Sequence, residues 1–160
     1  MKTKSLVYVG LMTSIAFVMT RFLQVPVIGG GYIHLGDSII YLSAFLMGGL
    51  PAAFVGGIGG ALSDISAGYA SYWIPTLVIK SVMGLVVAAS YNKIKNKKCS
   101  MSLSFVLGSI IMVAGYFFAE YFMYGNYIAP LKSVPMNLLQ AVFSIPVPLL
   151  LTHTLKGKIM

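Results

Sequence analysis

Chemistry-bearing side chains are scarce in this sequence. Its 160 residues include three acids, Asp37, Asp64 and Glu120, and two histidines, His34 and His153. An acid in an apolar segment is costly unless it faces protein or water, so each of the three is a functional candidate. His34 and Asp37 lie in a stretch with Tyr32 and several glycines, and Asp64 closes a run of small residues. Lys80, Glu120, Asn137 and Gln140 interrupt long apolar runs. Such a set supplies hydrogen-bond donors and acceptors for a polar ligand. It holds no Ser–His–Asp, Cys–His or HExxH arrangement, and its acids and histidine lack metal-ligand spacing, so neither a metal nor another cofactor is expected. Gly57-Ile-Gly59 is not followed by Gly-Lys-Ser/Thr and sits in no βαβ pattern, which excludes the nucleotide reading. Two function classes beside ligand binding stay open: a small membrane enzyme using Asp64 or Glu120 as general base, and a structural subunit without a ligand.

The elements that carry these residues are membrane-like. Hydrophobic residues make up 58% of the chain, charged residues 9%, and the mean hydropathy is +0.90; soluble domains carry about 25% charged residues. Apolar segments fall near 5–23, 38–50, 51–67, 76–92, 102–124 and 135–155. The expected fold is an all-α integral membrane protein, one domain over 1–160 with six transmembrane helices. The first segment has no small-residue cleavage site after it and reads as a retained span. The net charge of +8 is gathered at the ends of apolar runs, which fits membrane topology and not nucleic acid. Lys2, Lys4, Lys93, Lys95, Lys97, Lys98, Lys156 and Lys158 are eight of the eleven basic residues. Six spans put all of them on one side, the cytoplasm by the positive-inside tendency, with both termini inside. Five spans would split them. Cys99 has no partner cysteine, so disulfides play no part.

The segments around the Gly48-Gly-Leu-Pro51 turn are short. From Asp37 to Ala67 the chain reaches about 46 Å as helix, less than two bilayer crossings. Ala52, Gly56, Gly60 and Asp64 recur every four residues, as do Ala53, Gly57 and Ala61. Small residues at that spacing let helices approach closely in a bilayer. The first segment carries its own small set, Gly10, Thr13, Ser14, Ala16 and Thr20, suited either to internal packing or to a partner membrane protein.

Six spans place the outer helix ends near Arg21, Asp37, Gly68, Pro75, Tyr124 and Pro135. Asp64, Lys80, Glu120 and Gln140 each lie four or five residues inside such an end, about 6–8 Å deep. Four helices therefore bring polar groups to one level on the outer side, with His34 and Asp37 just above. Tyr116 shares a helix face with Glu120, and Trp73 lies nearby. An aromatic lining with a few convergent polar groups suits a small planar ligand. Each charge also has a plainer use. Asp64 and Lys80 can neutralise each other between neighbouring helices, Asp37 can cap the second helix, and His34 can be merely solvated.

At these residues the chain resembles the substrate-binding S component of an energy-coupling factor (ECF) vitamin transporter. The likeness is to the riboflavin-transporter-like branch that includes hydroxymethylpyrimidine and pyridoxine carriers. It rests on Leu35-Gly-Asp37, Met47-Gly-Gly-Leu-Pro51, Gly56-Gly-Ile-Gly-Gly-Ala-Leu-Ser-Asp64 with Gly68, and Ile79-Lys80 with Gly84. The resemblance implies a non-enzymatic subunit of the cell membrane that binds a vitamin from outside. Its partners would be a membrane T component and two cytosolic ATPases. The family's small-residue docking pattern on the first helix falls at Gly10 and Ser14. With the resemblance, the expected ligand contacts are Tyr32, His34, Asp37, Trp73, Lys80, Tyr116, Glu120, Asn137 and Gln140. Glu120 and Gln140 would bond ring substituents, Tyr116 and Trp73 would stack, and the 29–36 loop would close over the ligand.

Overall fold

The second helix is the pillar of the fold, and the others are arranged about it. The computed structural model describes residues 3–26 and 32–159; Lys2 and the 29–31 part of the loop lie outside them, as do the side chains of Lys156 and Lys158. Among the described residues the chain forms seven α-helices: α1 (Thr3–Arg21), α2 (Gly36–Met47), α3 (Gly49–Ser66), α4 (Trp73–Lys93), α5 (Lys97–Tyr124), α6 (Ile128–Phe143) and α7 (Pro146–Ile159). A hairpin of β1 (Gln24–Pro26) and β2 (Tyr32–His34) joins α1 to α2, with Val25 opposite Ile33. One 3-10 turn, Ala70–Tyr72, leads into α4.

Helix α2 is apolar on every side, and it is buried from Gly36 to Leu46. Ile40, Tyr41, Ala44 and Phe45 pack with Met83 and Val87 of α4 and with Phe105 and Met112 of α5. Its other side, Ile39, Leu42 and Leu46, meets Val9, Met12 and Ala16 of α1 and Val55 of α3. A helix hydrophobic all round belongs inside. The chain then reverses at Gly48, whose φ of +88° favours glycine. Pro51 falls in the first turn of α3, where its missing N–H costs nothing.

The small residues of α3 do what their spacing implied. A Cβ on Gly56 would come within 2.8 Å of Ile40 Cδ1 and 3.0 Å of the Lys80 carbonyl. One on Gly60 would meet Thr76 Cγ2 at 2.7 Å, and one on Gly84 would strike the Ala52 backbone at 2.7 Å. Helices α3 and α4 therefore touch through backbone. On the opposite side Gly59 faces α1, where a Cβ would come within 3.2 Å of both the Ala16 methyl and the Thr13 carbonyl.

Two expectations need correction. The last apolar segment begins at Ile128, not near Pro135, because Asn126 Oδ1 accepts the N–H groups of Ile128 (3.0 Å) and Ala129 (3.3 Å). Pro130 is the proline of the first turn, and Pro135 lies inside the helix. That segment is also broken: α6 ends at Phe143 and α7 restarts at Pro146. The Ser144 carbonyl in the break accepts Ser38 Oγ of α2 at 3.0 Å, which ties the break to the pillar. Among the described residues four helical stretches are long and apolar enough to cross a membrane: Thr3–Arg21, Ala70–Lys93, Lys97–Tyr124 and Ile128–Thr152. Helix α2, with 12 residues, is shorter than the roughly 20 of a full span.

Candidate ligand-binding site

Because α2 is short, its first turn starts deep among the other helices, and Asp37 starts there with it. Its carboxylate is 1% exposed. Lys80 Nζ of α4 lies 2.6 Å from Oδ1, and Gln140 Nε2 of α6 donates to Oδ2 at 2.8 Å. Gln140 Oε1 accepts the His34 backbone N–H at 3.4 Å, and Nε2 also reaches Met112 Sδ at 3.4 Å. The amide of Gln140 is thus fully engaged within the protein. It stands about 18 Å along α6 from the helix start, far deeper than a helix beginning at Pro135 would put it. Beside the pair, the Tyr116 ring centroid is 5.3 Å from Lys80 Nζ, and its hydroxyl bonds Thr76 Oγ1 at 3.0 Å.

Two of the plainer uses do not hold here. Asp37 is not a cap: Leu35 holds that position, without a side-chain bond, and the carboxylate turns inward. Lys80 pairs with Asp37 and not with Asp64. The lysine stem runs beside Gly60, where a Cβ would be in ordinary contact with Lys80 Cγ at 3.6 Å, toward the first turn of α2.

Above this floor sits the β1–β2 hairpin. Tyr32 OH donates to Asp64 Oδ1 at 2.8 Å, and its ring packs on Tyr69 at 5.2 Å and His34 at 5.6 Å. Burial, reinforced by the Asp64 carboxylate, pushes the Tyr32 phenol well above its ordinary range, so it stays a donor. His34 Nδ1 accepts the Gly36 N–H at 3.1 Å, which leaves the ring proton on Nε2. Burial lowers the His34 pKa from 6.5 to about 4; Asp37 opposes the shift and Lys80 adds to it. The imidazole is therefore neutral near pH 7.

Floor and hairpin enclose a cavity of about 690 Å³. Tyr32, His34, Asp37, Lys80, Tyr116, Glu120, Asn137 and Gln140 all line it. Trp73 does not. Tyr72, Thr76 and Lys80 recur at four-residue spacing on the cavity side; Trp73, one residue on, is turned about 100° away and is 40% exposed. Tyr69, Tyr72 and Tyr124 supply the aromatic wall instead, with Tyr72 OH and Tyr124 OH 2.9 Å apart. Glu120 Oε2 accepts Ser133 Oγ at 2.6 Å. Ser133, Met136 and Gln140 share one face of α6, and Thr76 shares a face with Lys80; reading those faces outward from the singled-out residues would have found both Ser133 and Thr76. Exposed Lys132 stands at the rim.

Gly10 and Ser14 take no part in the cavity. They lie on the exposed side of α1, opposite the buried Val9, Met12, Ala16 and Thr20. A Cβ on Gly10 would meet nothing within 4 Å, and Ser14 Oγ bonds the Gly10 carbonyl at 3.0 Å.

A family model for the ECF-type riboflavin transporter S component matches residues 1–157. The chain belongs to this family. A solved structure of the S component of a bacterial ECF transporter covers 98% of each chain with a TM-score of 0.81, at 22% identity, and so shares the fold. The thiamine precursor transporter HmpT of Lactococcus lactis subsp. cremoris is 32% identical over 124 residues, 76% of this chain and 70% of that one. An uncharacterized protein of Pyrococcus woesei is 39% identical over 109 residues, 68% of this chain and 72% of the relative. ECF S components are integral membrane transport subunits, not enzymes; they bind a vitamin ligand and work with a T component and ATPase subunits. The general-base reading of Asp64 and Glu120 falls with that assignment.

Proposed function

We propose that this S component sits in the cell membrane and takes up a small aromatic heterocycle from outside, hydroxymethylpyrimidine-like or pyridoxine-like. The observation that carries the reading is the neutralised floor beneath a tyrosine wall. The charge of Lys80 is matched by Asp37 at 2.6 Å, so among the described lining residues a phosphorylated ligand would find only exposed Lys132 as an unmatched cation. Phosphate recognition draws on several donors or paired Arg. Relatedness to a protein named for a thiamine precursor supports the pyrimidine choice. In this reading Glu120 and Asn137 bond ring substituents, Tyr116 stacks, and Tyr32 and His34 cover the ligand from the hairpin. Asp37, Lys80 and Gln140 hold the floor in shape.

Six crossings with both termini and the 93–98 segment cytoplasmic remain the topology we favour, with short α2 shielded from lipid by its neighbours. Exposed Cys99 reports on it: an impermeant thiol reagent should label it in lysed cells and not in intact ones, and labelling from outside overturns the topology. A second ligand reading, riboflavin, is favoured by the cavity volume of about 690 Å³, ample for more than one ring, and by the family's description. Calorimetry of the purified protein with a hydroxymethyl aminopyrimidine, pyridoxine, riboflavin and their phosphorylated forms decides. A single-ring, unphosphorylated compound should bind tightest; a clear preference for a phosphorylated vitamin sinks the reading.

A further inference from the structure

Asp64 is the buried acid that the floor network leaves out. It lines the cavity and is 6% exposed. One oxygen, Oδ1, accepts the Tyr32 hydroxyl at 2.8 Å; the other, Oδ2, is buried with no hydrogen-bond partner. The neighbouring cation is committed elsewhere. Lys80 goes to Asp37, while Thr76, whose hydroxyl bonds Tyr116 at 3.0 Å, is a neutral hydroxyl beside Tyr32 that also lies against the carboxylate, and it brings no charge. Buried polar atoms are nearly always paired, so an orphaned carboxylate oxygen in a cavity wall marks a place where something else supplies the donor. The terminal torsion of an Asp is soft, so either oxygen is readily turned toward the space the residue lines.

We propose that Asp64 is the specificity-determining residue of the cavity, and that it selects a nitrogen heterocycle bearing an amino group beside a ring nitrogen. This rests on the heterocycle-binding reading above. A hydroxyl on the ligand would satisfy the oxygen's lone pair but leave its charge uncompensated. An amino group next to a basic ring nitrogen gives both: its N–H donates to the carboxylate, and the ring nitrogen takes up a proton and spreads the positive charge over the same edge. The match is the one an Arg fork makes with a carboxylate, with ligand and protein exchanged.

The test compares a hydroxymethyl aminopyrimidine with its oxo analogue, in which oxygen replaces the amino group, by calorimetry on the full-length protein. Wild type should prefer the amino compound by about tenfold or more, and Asp64→Asn should lose about ten- to a hundredfold for it while binding the oxo compound nearly as before. Asp64→Ser serves as a second charge-removing variant should Asp64→Asn not purify as one species. Equal weakening of both ligands, or unchanged affinity for the amino compound, overturns the assignment. Wild type that binds heterocycles without amino preference overturns Asp64 alone, whereas wild type that binds none of them overturns the function reading beneath it.

Discussion

At the floor of the cavity both oxygens of Asp37 are paired, to Lys80 at 2.6 Å and Gln140 at 2.8 Å, and all three residues are nearly inaccessible. At the rim Glu120 is met by hydroxyls, Ser133 at 2.6 Å and Tyr72 beside it, and Lys132 stands in the open. The two regions carry similar residue types to different ends. A buried pair whose charges cancel acts chiefly through geometry, joining α2, α4 and α6. An acid met by hydroxyls near an opening keeps its charge, and lone pairs, for something that arrives. Charge in a membrane protein is therefore not by itself the mark of a binding group; the count of unspent lone pairs is.

Breaking the floor should have the largest effect. Removing one member of a buried pair leaves the other uncompensated and costs about 3–5 kcal/mol. Lys80→Met or Asp37→Leu should each lower the thermal unfolding midpoint sharply, and the double variant should regain most of the loss. Single variants no less stable than rim variants would erase the contrast.

Acid should loosen the hairpin that lies between floor and rim. The His34 pKa is depressed in the folded state, from 6.5 to about 4. Its contribution is therefore complete above about pH 6.5 and lost as pH falls toward 4. Thermal unfolding across that range should show wild type losing more stability than His34→Gln. Parallel curves would mean that His34 is solvated.

The rim should answer in affinity and not in stability. Leaving a ligand's polar atom unpaired costs about 1–3 kcal/mol, so Glu120→Ala should weaken binding by roughly ten- to a hundredfold with little change in unfolding midpoint. Unchanged affinity would move recognition elsewhere.

Least affected should be variants off the cavity altogether. Gly10→Trp or Ser14→Trp, on the open side of α1, should leave ligand binding by the isolated protein intact and abolish assembly with the transporter's membrane partner. Lost binding with assembly preserved would assign α1 to the cavity.

Much of this arrangement is legible in the sequence because it depends on spacing along single helices. The four-residue recurrence of Ala52, Gly56 and Gly60 implies a close helix contact, and the α3–α4 packing has it. Tyr116 and Glu120 sit one turn apart, and both line the cavity. What spacing does not carry is the rotation of one helix against another. That rotation gives Lys80 to Asp37 instead of Asp64, and it turns Trp73 out while Tyr72 faces in. Proline is ambiguous for a related reason: it suits a first turn, so Pro135 marks a plausible helix start, while the Asn126 side chain fixes the true one well before it. The β1–β2 hairpin is hidden because its strands are three residues each, too short to show an alternating pattern.

Helices α3 and α4 meet through bare backbone, and this bears on how the protein can change over generations. Where side chains interdigitate, a new methylene can be absorbed by a neighbour's change of rotamer. Against the Ala52 main chain, which a Cβ on Gly84 would approach to 2.7 Å, there is no rotamer to change. That side of the molecule accepts or rejects a substitution outright, so it offers drift few small steps. If the cavity takes its ligand as proposed, new preferences would have their gradual route on α5 and α6, at the lining side chains of Glu120, Ser133 and Asn137.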